Sequence, residues 1–228
     1  RGQLGLDLQA ATVGVNGWAM MAFAAAGALA LIALVASIVG KKHRAAIVAI
    51  LLLIGAGTGA GTLYGQSMLR NALPPLFDVQ TDWSQPVAFS ESTLRARESV
   101  GAARIRDDAM VPEGEGKWSG KSFADAQKEV YELKPLEVTA APPDATVAAE
   151  KVAKRLGWSV MLSDPPNGQL EAVNYSFWYG FASDIAVRIQ PAGAGSRIDV
   201  RSVSRIPGGD GGANAGQVKE FLNELAFA

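Results

Sequence analysis

The stretch SDIAVRIQPAGAGSRIDVRSVSRI, residues 183–206, decides the fold, because apolar and polar residues alternate through both of its halves. Such alternation is typical of β-strands with one buried face. The glycine-containing segment PAGAGS (191–196) separates the two halves and favours a turn. We therefore predict an antiparallel β-hairpin in which Ile189 lies opposite Ile198.

This register places Arg188 opposite Asp199 and Ala186 opposite Arg201. Opposite charges paired across strands contribute about 0.2–1 kcal/mol each. Two interpretations of the arginine-rich face stay open. It is either a ladder of self-paired charges on a solvent-exposed side of the sheet, or a binding face on which Arg201 and Arg205 reach carboxylates or phosphates outside the domain.

The segments on either side of the hairpin predict an α+β domain over residues 124–228. A helix opens at PPD (142–144), with Asp144 as N-cap, and ends at Gly157. Strands are predicted at 158–163 and 169–178, and an amphipathic helix closes the chain. The expected architecture is an antiparallel sheet covered by helices on one face.

The glycine-rich run PGGDGGANAG (207–216) precedes the last helix, as phosphate-binding loops do. It lacks the lysine–serine ending of a P-loop, and Asp210 would repel an anion. We therefore expect a local role. Asp210 accepts backbone N–H groups or pairs with Arg205, and Asn214 caps the helix.

Residues 70–123 have little periodicity, several prolines and glycines, and charges of both signs, so we predict an irregular surface connector. Trp83 and Phe89 are too apolar for free solution, and we expect them to pin this connector against the domain or a partner.

Residues 17–69 predict a transmembrane helical hairpin. Two apolar runs, at about 17–40 and 45–66, each have the roughly 20 residues needed to cross a bilayer. The turn KKHR (41–44) is basic, which places it in the cytoplasm. Residues 1–16 then form an exoplasmic lead-in and the C-terminal domain is exoplasmic, in the periplasm of a bacterium. Whether another span precedes Arg1 stays open.

Small residues recur at helix-packing intervals within both spans. In lipid, such residues let helix backbones approach closely. Two uses stay open, packing within the hairpin or docking against helices of another subunit. The predicted packing residues are Ala22, Ala26 and Ala30 in the first span and Gly55, Gly57, Gly59 and Gly61 in the second.

The composition excludes several function classes. The chain has no cysteine, one histidine and a net charge of −1. Disulfides, thiolate nucleophiles and cysteine-ligated iron–sulfur clusters are therefore excluded, and no global electrostatic footprint for nucleic acid exists. We predict no cofactor, no metal site and no nucleic-acid partner, with membrane lipids and other integral membrane subunits as the expected partners.

Three segments resemble the core of the domain-of-unknown-function family 1499, in its membrane-anchored bacterial form. They are GW (157–158), FWYGFASDIAVRI (177–189) and IDVRSVSRIPGGDGGANAGQVKEFLNEL (198–225), with LPPLFDVQTDW (73–83) upstream. The resemblance implies membrane spans before the domain and no established activity. Residues on matching positions are Asp184, Arg188, Asp199, Arg201, Ser202, Ser204, Arg205, Asp210 and Asn214.

Three functions are compatible with these observations. The favoured one is a non-catalytic accessory subunit of an inner-membrane complex, of which respiratory and photosynthetic complexes are typical. The second is a periplasmic module that binds an anion or a lipid headgroup through Arg201 and Arg205. The third is a hydrolase that uses Asp184 and Asp199 as paired carboxylates, although nearby arginines should keep both ionised.

Overall fold

The computed structural model describes the backbone of residues 2–176 and 180–227, and the side chains of these residues except 2–17, 66, 67 and 69–71. The chain forms two compact units. A helical hairpin lies within Leu6–Ala72, and a folded domain lies within Leu73–Ala228.

The hairpin consists of α1 (Gly2–Val39) and α2 (His43–Ala72). The connection between them is short, and Lys41 has a φ of 53°. Trp18–Val39 and His43–Gly65 are long and apolar enough to cross a membrane, with mean hydropathies of 2.5 and 2.1. Because α1 begins at Gly2, the predicted lead-in is part of the same helix.

Small side chains line the contact between α1 and α2. Ala30, Ala49 and Ala56 are buried there. A Cβ atom added at Gly27 would lie 3.8 Å from the Cβ of Ala56, and one at Gly59 would overlap the ring of Phe23. Of the predicted packing residues, Ala30 and Gly59 lie in this contact. The others are exposed, namely Ala22, Ala26, Gly55, Gly57 and Gly61.

The domain is built on a six-stranded antiparallel sheet, which confirms the predicted α+β class. In the sheet, β6 pairs with β5, β5 with β4 and β4 with β3, while β1 and β2 share the other edge of β6. The strands are β1 (Asp78–Gln80), β2 (Leu136–Val138), β3 (Ser159–Asp164), β4 (Gln169–Tyr175), β5 (Ala182–Ala192) and β6 (Gly195–Ser204). The helices are α3 (Glu91–Ser99), α4 (Phe123–Val130), α5 (Pro142–Arg155) and α6 (Ala213–Ala226).

The predicted hairpin register is confirmed. Ile189 lies opposite Ile198, Arg188 opposite Asp199, and Ala186 opposite Arg201. The isoleucines point to the main core, in which α4, α5 and α6 pack against one face of the sheet. Trp158 stacks on Phe221 of α6 with 5.0 Å between the ring centroids.

Helix α5 starts three residues earlier than predicted. Its N-cap is Ala141, and Pro142 and Pro143 occupy the first helical positions, where a missing N–H costs nothing. The prediction of Asp144 as N-cap is therefore wrong. Asp144 lies in the first turn, where a negative charge is favourable. Gly157 follows the helix with a φ of 79°, as predicted for a terminating glycine.

The predicted irregular connector, residues 70–123, is instead part of α2 up to Ala72 and of the domain from Leu73 onward. It contributes β1 and α3, and it buries Leu76, Val79 and Trp118 in the main core. The prediction failed because β1 has three residues and α3 has almost no apolar face, so neither leaves a periodic signal. The expected pinning by Trp83 and Phe89 is observed, since both pack against buried apolar residues of the domain.

Candidate functional site

The arginine-rich face of the sheet is covered by residues 81–107, which we call the strap. The strap contains α3 and carries Val87 and Phe89, which pack on Ala186 and Val203 of the sheet. Beneath it, Arg201 is 2% exposed, Asp184 1% and Asp199 0%. The expectation of a solvent-exposed charge ladder is therefore wrong.

Arg201 is the centre of one buried ion cluster. Its Nε and Nη2 donate to the two carboxylate oxygens of Asp78 on β1, at 3.0 and 2.7 Å. Its Nη1 donates to Asp107 at 2.7 Å and to the carbonyl of Val87 at 3.2 Å. Burial raises the pKa of Asp78, and the hydrogen bonds from Arg201 oppose that rise.

Asp184 of β5 binds two arginines. Arg205 donates to both carboxylate oxygens, from Nε at 2.9 Å and from Nη2 at 2.7 Å. Arg97 reaches the same carboxylate from α3 through its Nη1. Because Asp184 lies directly opposite Val203 on β6, the strap and two strands meet at this carboxylate.

Asp199 of β6 is the third buried carboxylate. Arg188 donates to it at 3.1 Å, and Arg197 donates to both of its oxygens at 3.1 and 3.2 Å. The hydroxyl of Thr81 donates a further bond at 3.1 Å. Arg197 also binds Asp82 of the strap at 2.6 Å. The arginine-rich face is thus self-paired, as the first interpretation required, but it is buried.

The glycine-rich loop before α6 is filled by its own aspartate. Asp210 accepts the backbone N–H groups of Gly212 at 2.8 Å and Asn214 at 2.7 Å, as predicted. It does not pair with Arg205, whose carboxylate partner is Asp184. Burial raises the pKa of Asp210. The helix N-terminus therefore already holds a carboxylate at the place where an anion would bind.

Asn214 does not cap α6, in contrast to the prediction. The N-cap is Gly212, with a φ of 87°, and Asn214 lies one residue inside the helix. Its amide donates to the carbonyl of Phe77 at 2.9 Å and to the hydroxyl of Ser204 at 3.0 Å. Its Oδ1 accepts the hydroxyl of Ser202 at 2.9 Å. Asn214 therefore ties α6 to the sheet.

Close packing explains two of the loop glycines. A Cβ atom at Gly209 would lie 2.9 Å from the Cα of Pro75, and one at Gly212 would lie 2.9 Å from the hydroxyl of Tyr131. Burial and the nearby charge of Asp210 raise the pKa of Tyr131 to about 12. The glycines serve packing of the loop rather than phosphate binding.

The sequence analysis missed the strap residues of the network. These are Thr81, Asp82, Arg97 and Asp107, with Asp78 just before them. A signal was present, because the predicted hairpin carries four arginines, including the one after β6, but only two aspartates. Burial of that face requires additional carboxylates from elsewhere in the chain.

The network offers little for metal binding or acid–base chemistry. Within the residues that the structure describes, no group of three or more histidine, aspartate or glutamate side chains is placed to hold a metal ion. Each of the three buried aspartates on the sheet accepts hydrogen bonds from arginine, so its carboxylate oxygens are already engaged within the domain.

Comparison with known protein families gives one finding. The family described as "Protein of unknown function (DUF1499)" matches residues 78–225, from β1 to the last turn of α6. The matched range includes the whole strap and the whole ion network. Curated proteins give no significant match to the chain. The family description names no activity.

Proposed function

The chain belongs to the family of unknown function DUF1499. We propose that it is a non-catalytic accessory subunit of a bacterial inner-membrane complex. One observation carries the proposal. The charged side chains that a catalytic or anion-binding site would need are engaged in the internal network of the domain. What remains for function is the surface of a well-ordered domain joined to two apolar helices.

The network argues against the two alternative functions. A hydrolase needs a carboxyl group that a substrate can reach, and Asp184 and Asp199 are buried and bound by arginines. Binding of an anion or lipid headgroup by Arg201 needs free guanidinium donors. Those of Arg201 are directed to Asp78, Asp107 and the carbonyl of Val87.

The helical hairpin supports docking within a membrane. Only 11% of each apolar window is buried, so the two helices leave most of their apolar surface for lipid or for other helices. Gly57 and Gly61 are exposed, with nothing within 4 Å of an added Cβ atom. Helix association in lipid depends on such close-approach surfaces rather than on the hydrophobic effect.

The basic turn supports the orientation. Lys41, Lys42 and Arg44 lie between the spans, and positive residues favour the cytoplasmic side. The domain that follows α2 is then periplasmic. In this position it extends the surface of neighbouring subunits outside the bilayer.

The test is purification of the full chain from native membranes in a mild detergent, with identification of the proteins that accompany it. We expect stoichiometric membrane subunits with the wild type. Gly57→Leu combined with Gly61→Leu should release them, because the new side chains occupy the docking surface and leave the hairpin contact intact.

The control is Ala25→Leu, which also places a leucine at an exposed position, but on α1. It should retain the partners. A wild-type chain that runs alone in mild detergent would contradict the proposed function.

A further inference from the structure

The guanidinium of Arg97 occupies a receptor made of four oxygen atoms. Nη1 donates to Asp184 and, at 3.2 Å, to the carbonyl of Val203. Nη2 donates to the carbonyls of Ala103 at 2.8 Å and Ser204 at 3.1 Å. Four donors of one planar group meet four acceptors, and Arg97 is only 3% exposed. This arrangement matches the forked geometry of guanidinium rather than the compact ammonium of lysine.

Helix α3, which carries Arg97, is held to the sheet almost entirely by polar contacts. Arg97 is its only buried residue, and Leu94 is 44% exposed. The other anchors are the Ser90 N–H and hydroxyl and the Thr93 hydroxyl, which donate to Glu171 of β4. A helix with few buried apolar contacts opens at lower free energy than the core.

Burial of the Arg97 guanidinium costs hydration. Burial lowers the pKa of Arg97, and the attraction of Asp184 compensates for only part of this effect. Desolvation offsets much of the Coulombic gain of buried ion pairs in general. Release of Arg97 into water therefore recovers hydration that the closed state gives up.

The receptor oxygens are also held by contacts that do not involve Arg97. Asp184 keeps both hydrogen bonds from Arg205, so no buried charge is left unpaired. The carbonyl of Ala103 also stays in place, because the Ala103 N–H donates to the Arg205 carbonyl at 2.8 Å. Gly101, with a φ of 67°, ends α3, and the Ala102 N–H donates to the Arg97 carbonyl at 3.0 Å, so release of α3 has to break this bond as well.

We propose that the four oxygens around Arg97 form a guanidinium-binding site, that Arg97 occupies it as an internal ligand, and that release of α3 opens it to an arginine of a partner protein. The identity of the competitor as a partner subunit rests on the proposed function. The site and its internal ligand do not. While Arg97 occupies the guanidinium-binding site, a partner binds there only if its own arginine displaces Arg97.

The first test is hydrogen exchange of the full chain in detergent, with and without 50 mM methylguanidinium. We expect the amides of α3 to exchange at least about tenfold faster than those of β5 and β6 without the ligand, because local opening precedes global unfolding. Methylguanidinium should accelerate exchange in α3 by about threefold or more through competition for the site, without affecting β5 and β6. Methylammonium at the same concentration is the control and should have no such effect.

The second test uses Arg97→Ala, which empties the receptor. Methylguanidinium should raise the melting temperature of this variant and slow exchange in its α3, whereas methylammonium should not. Arg95→Ala removes an exposed arginine of the same helix and should behave as the wild type. If Arg97→Ala does not fold, the wild-type exchange experiment decides alone.

Equal protection of α3 and β5–β6 from exchange in the wild type would overturn the proposed release of α3. Equal effects of methylguanidinium and methylammonium would overturn the guanidinium site. Neither measurement involves co-purified subunits, so failure here leaves the proposed function standing, and failure of co-purification leaves the receptor standing.

Discussion

Arg201 shows why arginine, and not lysine, lies at the centre of this sheet face. A buried cation must direct all of its donors to acceptors, because each unsatisfied polar group away from water costs free energy. The guanidinium reaches Asp78, Asp107 and a backbone carbonyl in three directions at once. An ammonium at the same position has three donors on a single atom and could not span these partners.

Replacement of Arg201 tests this account of the residue. Arg201→Met should lower the free energy of unfolding of the domain by about 3–5 kcal/mol, because Asp78 is left buried without its partner. The measurement is a urea titration of the full chain in detergent, read by proteolysis of the unfolded domain. Arg95→Met, on the exposed side of α3, should change it by less than about 0.5 kcal/mol.

A double variant tests whether the unpaired Asp78 accounts for the stability lost in Arg201→Met. Combining Arg201→Met with Asp78→Leu should recover much of the lost stability, since apolar pairs of similar volume replace buried ion pairs at little cost. A single Arg201→Met variant as stable as the wild type would show that the Asp78 pairing is not needed for the domain to fold.

Tyr131 provides a test of the environment of the glycine-rich loop. Its pKa of about 12 follows from burial and from the charge of Asp210. Asp210→Asn should lower the pKa of Tyr131, because the tyrosinate no longer faces a carboxylate, although burial keeps it above the usual range. Absorbance titration between pH 9 and 13, with the Tyr131→Phe variant subtracted, isolates the transition.

The control for this titration is Asp144→Asn, which neutralises an exposed carboxylate on α5 and should leave the Tyr131 transition unchanged. An unchanged pKa of Tyr131 in Asp210→Asn would show that burial alone accounts for the shift.

At the scale of elements, the local pattern of apolar and polar residues correctly predicted the β5–β6 hairpin and helix α6. The β5–β6 hairpin was placed in its correct register because a slip by one residue would turn its isoleucines out of the core. The closing amphipathic helix was also predicted, and Val218, Phe221, Leu222 and Leu225 of α6 pack in or against the main core. Both elements bury one regular face against the same core.

The strap could not be predicted because long-range pairing, and not local pattern, holds it in place. Helix α3 is hydrophilic, and its one buried side chain is a cation that finds Asp184 in a strand 87 residues away. The arginine-rich face is buried because the strap covers it, so a failure to predict the strap also meant a failure to predict this burial. An alternating strand looks the same whether its polar face meets water or meets complementary charges.

The N-cap residue was predicted wrongly at both α5 and α6. In each case a polar side chain near the start was taken as the N-cap, and the structure places Ala141 and Gly212 there instead. Prolines fix the start of α5. At α6, Asp210 reaches the N–H groups from two residues before the cap, and this frees Asn214 to bind the sheet.

At the scale of the whole molecule, two kinds of surface are combined in one chain. The hairpin is apolar on most of its exposed surface. The domain has its own core and pairs the arginines of one sheet face with its own carboxylates. Its attachment to apolar helices then determines where its surface is presented.

The orientation of that attachment is open to a direct test, because the chain has no cysteine. Single cysteines at Lys42, in the basic turn, and at Met161, which is 65% exposed on β3, report the two sides of the membrane. In intact spheroplasts, a membrane-impermeant maleimide should label Met161→Cys and leave Lys42→Cys unlabelled until the membrane is opened with detergent. The reason is the positive-inside preference of Lys41, Lys42 and Arg44. The reversed pattern would place the domain in the cytoplasm, and labelling of both positions would show that the hairpin does not cross the bilayer.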